Sequence, residues 1–271
     1  MVDPVEPFLQ RTRQRAPANS MYDFGFRGVG ERTVFPIIQH AAGGVLRLIG
    51  TGFFIAAGGI FVTAKHVFEG PDISDTDQFD VLQICENQVA QRLITHLHFH
   101  PEFDLVVGIL APSECDCPSC EAHPVVSVMS LDPIVSDQGN EVLASYVFAH
   151  TLVHDQDNDP LTRLINHRGH WEKGHAEEIF PTGDGRVRGP CFSSSIFIEG
   201  RASGAPVFNS NGFVIGINSR GFAPVDGLPY STASSIRGVL AMQIYGRTIA
   251  EHRAGIPNRP TVSVRQNRTP I

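Results

Sequence analysis

Three short segments carry the residue types that acyl transfer to water requires: a nucleophile, a base to take its proton and a carboxylate to orient the base. His66 stands in Val62-Thr63-Ala64-Lys65-His66-Val67, directly after an apolar run. Asp104 stands in Glu102-Phe103-Asp104-Leu105-Val106-Val107, where an acid opens a second apolar run. Ser203 stands in Gly200-Arg201-Ala202-Ser203-Gly204-Ala205-Pro206-Val207-Phe208. Each residue alone has a plainer reading. A histidine after a strand is usually structural, an aspartate caps turns, and a serine in glycine-rich sequence is a turn former. Together, in this order and each beside a strand-like run, they point to a triad.

A second cluster, Cys115, Cys117, Cys120 and His123, could offer four soft ligands to zinc. Structural zinc sites draw ligand pairs from separate turns, and one short loop closes poorly into a tetrahedron. The expectation is therefore no metal and no cofactor, with these residues as the candidates should a metal bind. His96, His98 and His100 alternate, so they share one strand face, expected to meet solvent or acidic groups. There is no phosphate-binding glycine-lysine loop, no helical zinc-protease motif and no dinucleotide-binding glycine pattern. The cysteine count is 5, and an odd number argues against a disulfide framework.

The elements that must position these residues are short. With 26 Gly and 19 Pro in 271 residues, long helices have little room. Apolar runs bounded by Gly, Pro, Asp or Asn predict strands at 33–38, 45–49, 52–56, 60–63, 81–85, 91–98 and 105–110. A second set falls at 141–149, 161–170, 191–198, 205–208, 213–218 and 230–233. A proline- and cysteine-rich break separates the sets. The uncharged stretch Leu48–Ala64 is slightly short for a membrane span and holds four glycines; two strands turning at Gly58-Gly59 suit it better. Ser234 or Ser235 could cap one helix over 234–246. The expected fold is all-β: two six-stranded antiparallel barrels with a short C-terminal helix. The N-terminal barrel would span about 33–112, the linker 113–140 and the C-terminal barrel about 141–233. Residues 1–30 and 251–271 are expected to be flexible.

The formal charge is -7, from 21 basic and 28 acidic residues, which leaves no electrostatic footprint for nucleic acid. Residues 1–20 carry charges and no apolar stretch, so no secretion leader and no membrane partner are expected, and the protein reads as soluble and cytoplasmic.

The motifs also carry a family resemblance. Thr63-Ala64-Lys65-His66 resembles the T-A-A-H motif of the trypsin-like serine peptidases, Asp104-Leu105-Val106 their D-[IL]-A-[VL] motif, and Ser203-Gly204-Ala205-Pro206-Val207 their S-G-G-P-[LV] motif. The order His, Asp, Ser is the chymotrypsin-type order. Asn211-Gly212-Phe213-Val214-Ile215-Gly216-Ile217-Asn218-Ser219 is similar to the bacterial high-temperature-requirement proteases. The resemblance covers roughly residues 33–245 and implies a Greek-key chymotrypsin fold, a peptidase domain over 31–250 and serine endopeptidase activity on protein or peptide substrates. It assigns Ser203 as nucleophile, His66 as general base and Asp104 as the group orienting it. The backbone N–H groups of Arg201 and Ser203 become the oxyanion hole. Ser219, Arg220 and Gly221 become a substrate-binding edge, and Phe197 the base of the pocket for the side chain before the cut. No acid sits there to pair with Lys or Arg. The departure from the family is Arg201, which stands where a glycine is usual. Either the loop is one residue longer with Gly200 making the turn, or Arg201 donates its N–H from a backbone conformation that glycine prefers. The alternative function is an impaired relative that binds peptides without cutting them.

Overall fold

The computed structural model describes residues 22–27, 30–41, 46–70, 73–74, 77–85, 88–112, 131, 141–148, 152–155, 163–166, 169–225, 228–260 and 262–266. The first element among the described residues is β1 (Tyr22–Phe26). The first barrel is built from β2 (Val34–His40), β3 (Leu46–Ala56), β4 (Ile60–Thr63), β5 (Gln78–Cys85), β6 (Gln88–Phe99) and β7 (Val106–Leu110). It closes in the order β2-β3-β4-β7-β6-β5. Next come β8 (Val142–Val147), the hairpin β9 (Leu152–Asp155) and β10 (Arg163–Asn166), then β11 (His170–Phe180), β12 (Cys191–Ser194), β13 (Pro206–Phe208), β14 (Val214–Val225) and β15 (Leu228–Ser235). The second barrel closes as β11-β12-β15-β14-β13-β8. Counted from its own first strand, each barrel has the same circular strand order, so one topology occurs twice although the sequence shows no repeat. The structure is the expected all-β pair of six-stranded antiparallel barrels.

The uncharged stretch at Leu48–Ala64 is indeed a hairpin: β3 and β4 join through a turn in which Gly58 and Gly59 both have φ 76. Strands β4 and β7 are buried along their whole length, which is why they read as unbroken apolar runs. Among the described residues, no helix is long and apolar enough to cross a membrane.

Three expectations are corrected. The single helix over 234–246 is instead the end of β15, a one-turn helix α1 (Arg237–Leu240), a hairpin of β16 (Gln243–Ile244) and β17 (Arg247–Thr248), and a second short helix α2 (Ile249–His252). Tyr245 and Gly246 take φ 51 and 74, which no helix accommodates, and Thr248 with Glu251 forms a capping box that restarts the chain as α2. The run expected as a strand over 161–170 is divided: β10 ends at Asn166, and a separate long strand begins at His170. Third, the two ends are not wholly flexible. β1 pairs antiparallel with β18 (Val262–Gln266), from Tyr22 opposite Gln266 to Phe26 opposite Val262. This two-stranded strap lies on the second barrel, where the Phe26 ring packs edge-on against Tyr146 with centroids 4.7 Å apart and tilted against Trp171 at 4.9 Å. Phe24 and Val262 are buried beneath it. Residues 1–21 and 267–271, like all of the linker except Leu131, fall outside the described residues. Leu131 is buried, its N–H donating to Asn258 Oδ1 and its carbonyl accepting from Asn258 Nδ2.

The strap predicts a stability effect far from the triad. Phe24→Ala removes a fully packed ring and should cost about 3 kcal/mol in urea unfolding monitored by Trp171 fluorescence. A loss under about 0.5 kcal/mol would mean that the strap does not hold the barrel.

Candidate active site

The seam between the barrels brings the three sequence-selected residues together. His66 sits in a short 3-10 turn (Lys65–Phe68) that leaves the end of β4. Asp104 lies in the bend before β7, and Ser203 in the loop between β12 and β13. His66 Nδ1 is 2.8 Å from Asp104 Oδ2, and His66 Nε2 is 2.8 Å from Ser203 Oγ. The backbone N–H of His66 donates to Asp104 Oδ1 at 2.9 Å. Ser219 Oγ also donates to Asp104 Oδ2. Burial by itself would raise the Asp104 carboxyl, but the hydrogen bonds and charge of His66 and the bond from Ser219 outweigh it, and the group is held below its ordinary value. An ionised carboxylate can only accept. Nδ1 of His66 therefore carries a proton, and in the neutral imidazole Nε2 is the acceptor that faces Ser203 Oγ.

The loop around Asp104 is wound on a histidine. His100 Nδ1 accepts the backbone N–H of Phe103 at 3.0 Å and of Glu102 at 3.2 Å, while the backbone N–H of His100 donates to the Leu105 carbonyl at 2.9 Å. Its ring stacks on Phe103 with centroids 4.1 Å apart. The three alternating histidines therefore do not share one strand face: β6 ends at Phe99, and His100 turns inward to serve the loop. Sequence reading missed this role.

The Ser203 loop is tied to both barrels. The Thr51 N–H donates to the Ser203 carbonyl at 2.8 Å, and Thr63 Oγ1 donates to the Thr51 carbonyl at 2.7 Å. Gly204 has φ 86, and a methyl there would strike the Thr63 hydroxyl and the Thr51 carbonyl. Its N–H donates to the Asn218 carbonyl at 2.7 Å. The Ala202 N–H closes a turn onto the Glu199 carbonyl at 3.2 Å, and Arg201 within that turn has φ 80. Of the two alternatives for this loop, the second holds in the backbone: Arg201 itself takes the conformation that a type II turn reserves for glycine. Among the described residues no group accepts from the backbone N–H of Arg201 or of Ser203.

The predicted substrate edge is also placed. β13 pairs with β14 only as far as Ile217, so Ser219–Gly221 has no strand beside it on that side among the described residues. Ser219 is buried and Arg220 and Gly221 are exposed. Phe197 is half-buried, and it is the neighbouring Ile198 whose carbonyl lies against Gly221. Cys115, Cys117, Cys120 and His123 lie outside the described residues. Among the described residues, no group of three or more His, Cys, Asp and Glu is placed to hold a metal ion.

A family model for the trypsin-like peptidase domain matches residues 50–217, more than half of the chain and all three residues of the hydrogen-bonded relay. The chain belongs to the trypsin-like peptidase domain family. No curated protein matches the sequence significantly. Solved structures share the architecture. Deg5 superposes with TM-score 0.54 at 13% identity, covering 87% of this chain and 91% of its own. The MamO protease domain from Magnetospirillum magneticum gives 0.54 at 11%, covering 80% and 98%. The Rv3671c protease from M. tuberculosis in its active form gives 0.52 at 14%, covering 94% and 87%. At such identities the likeness shows the fold, and it agrees with the resemblance carried by the motifs.

The loop geometry gives a pH prediction. Burial lowers the His100 proton affinity from its ordinary value of 6.5; Glu102 opposes this and Lys65 adds to it. The unfolded chain then binds this proton more readily than the folded one, so stability from this site is present above the ordinary histidine pKa and is lost as pH falls through it. The Tm of the wild type should fall between about pH 7.5 and pH 5.5, and the slope should flatten in His100→Gln, which keeps an acceptor but cannot titrate. Equal slopes would remove His100 as the cause.

Proposed function

We propose that the chain is a serine endopeptidase working through an acyl-enzyme. The observation that supports this best is the unbroken relay from Asp104 through His66 to Ser203. Ser203 Oγ attacks the scissile carbonyl as its proton passes to His66 Nε2. The imidazolium formed is stabilised by the Asp104 carboxylate, which also fixes the tautomer. The carbonyl oxygen becomes an oxyanion, accepted by the N–H groups of Ser203 and Arg201. His66 then protonates the leaving amine, the C–N bond breaks, and an ester to Ser203 remains. Water, deprotonated by the same His66, hydrolyses that ester. Ser219–Gly221 would receive the peptide as an added strand.

A left-handed arginine costs roughly 1–2 kcal/mol against glycine, and this strain is the observation that favours the second reading, an impaired peptide-binding relative. An odd cysteine number fits a thiol-reducing compartment such as the cytoplasm.

A fluorophosphonate probe reacts only with an activated serine. We expect labelling of the wild type, and its loss in Ser203→Ala and His66→Ala. Asp104→Asn should lower kcat by about four powers of ten through the wrong tautomer. A folded wild type that does not label would put the binding-module reading ahead. Arg201→Gly keeps the N–H and relieves the strain, so labelling should persist or quicken. Labelling abolished by that change would exclude a simple backbone role for Arg201.

A further inference from the structure

Beside His66 a 200 Å³ cavity opens, and its wall is richer in cations than the molecule as a whole. Lys65, Arg186, Arg188 and Arg220 line it, against Glu69, Glu102 and Asp104, whereas the whole chain has 21 basic and 28 acidic residues. Most of the acids are already engaged. Asp104 is bound by His66 and Ser219, and Glu69 pairs with Lys65 at 3.3 Å. Three guanidinium groups then face one carboxylate, Glu102.

Their convergence is built by the fold. Asp184 accepts the backbone N–H of Arg186 at 2.8 Å and of Val187 at 2.7 Å, which forms the turn that carries Arg186 and Arg188. Asp184 Oδ2 also accepts from Thr232 Oγ1 at 2.9 Å. Thr232 is the cross-strand partner of Arg220. One carboxylate thus binds the Arg186–Arg188 turn to the residue opposite Arg220. Arg186 is further held over the Phe222 ring at 4.6 Å. Asp184 offsets part of the Arg186 charge. Among the described residues, the side chains of Arg188 and Arg220 have no ion-pair or hydrogen-bond partner.

We infer that this cavity is a subsite for a carboxylate side chain near the scissile bond, so that the substrates are acidic peptides. The inference rests on the peptidase reading above for the bond that is cut, but the cavity's charge can be tested without cleavage. A peptide lying along Ser219–Gly221 passes Arg220 at once, and an Asp or Glu within reach would be met by the Arg188 and Arg220 forks.

The test uses full-length Ser203→Ala and two degenerate decapeptide libraries, identical except that one carries Asp and Glu where the other carries Asn and Gln. The acidic library should bind about tenfold more tightly at low salt, and the advantage should shrink as salt rises. Arg220→Glu and Arg188→Glu, both exposed changes whose folding circular dichroism checks, should abolish the preference, and the double variant should favour a matched lysine library. Equal binding of the two libraries, or a preference that survives both reversals, overturns the inference. Fluorophosphonate labelling of the wild type separates the two claims. Labelling with no acidic preference leaves the peptidase and removes the subsite. An acidic preference without labelling keeps the subsite and removes the hydrolytic reading.

Discussion

Everything at the site depends on how one loop crosses the seam between two barrels. His66 and Asp104 belong to the first barrel and Ser203 to the second, so the 2.8 Å contact between imidazole and hydroxyl is an inter-barrel contact. It is held by backbone bonding rather than by the triad. The Thr51 N–H takes the Ser203 carbonyl, and Thr63, three residues before His66, bonds Thr51 in turn. From the other side Asn218 both accepts from Gly204 and donates to the Ala205 carbonyl. Its side chain donates to Ser145 Oγ, which itself donates to the Pro206 carbonyl. Apart from half-buried Ser203 these residues are buried, where an unmade hydrogen bond costs about 1–3 kcal/mol, so the network tolerates little sliding. The absence of a side chain at Gly204 follows from the same constraint: two backbones approach too closely there for a methyl.

Strain is concentrated on the next turn. Arg201 holds φ 80 while its neighbour Ala202 is buried, and Thr51 Oγ1 reaches the Arg201 carbonyl at 3.4 Å. A conformation that L-residues avoid persists when its surroundings over-determine it. Here the surroundings are again Thr51 and the Glu199–Ala202 turn. The consequence is chemical. With the Arg201 carbonyl drawn toward the first barrel, its N–H and that of Ser203 have no acceptor among the described residues.

The parts of this arrangement that the sequence disclosed are those carried by contiguous residues. His66, Asp104 and Ser203 each lie beside a short buried strand, and a fully buried strand is legible as an uninterrupted apolar run. The long strand β11 was not legible, because His170, Glu172, Lys173, His175, Glu177 and Glu178 break both the apolar run and the alternation. The strap of β1 and β18 could not be read from either end alone, since each strand is short and finds its partner across nearly the whole chain. The role of His100 was hidden for a related reason. Its position suggested the next step of an alternating strand, but the strand had ended one residue earlier, and only the bend reveals that its ring accepts two backbone N–H groups. Where the alternatives were local, as for Gly200 against Arg201, the sequence framed the choice and the backbone decided it.

The repeated topology explains why such a site can exist only at the seam. Each barrel closes on itself with the same strand order and buries its own apolar interior, leaving its connecting loops to face outward. Neither barrel supplies both a nucleophile and a base. The first offers an imidazole and a carboxylate from the loops after its third strand and before its sixth. The second offers a hydroxyl from the loop after its third strand and an open strand edge from its fifth. Duplicated architecture therefore does not duplicate the site. The barrels are alike in path but differ in what their loops present, and the sequence shows no repeat because a barrel constrains only the alternation and spacing of its apolar residues. The loops are free to differ, and the difference between them is the chemistry.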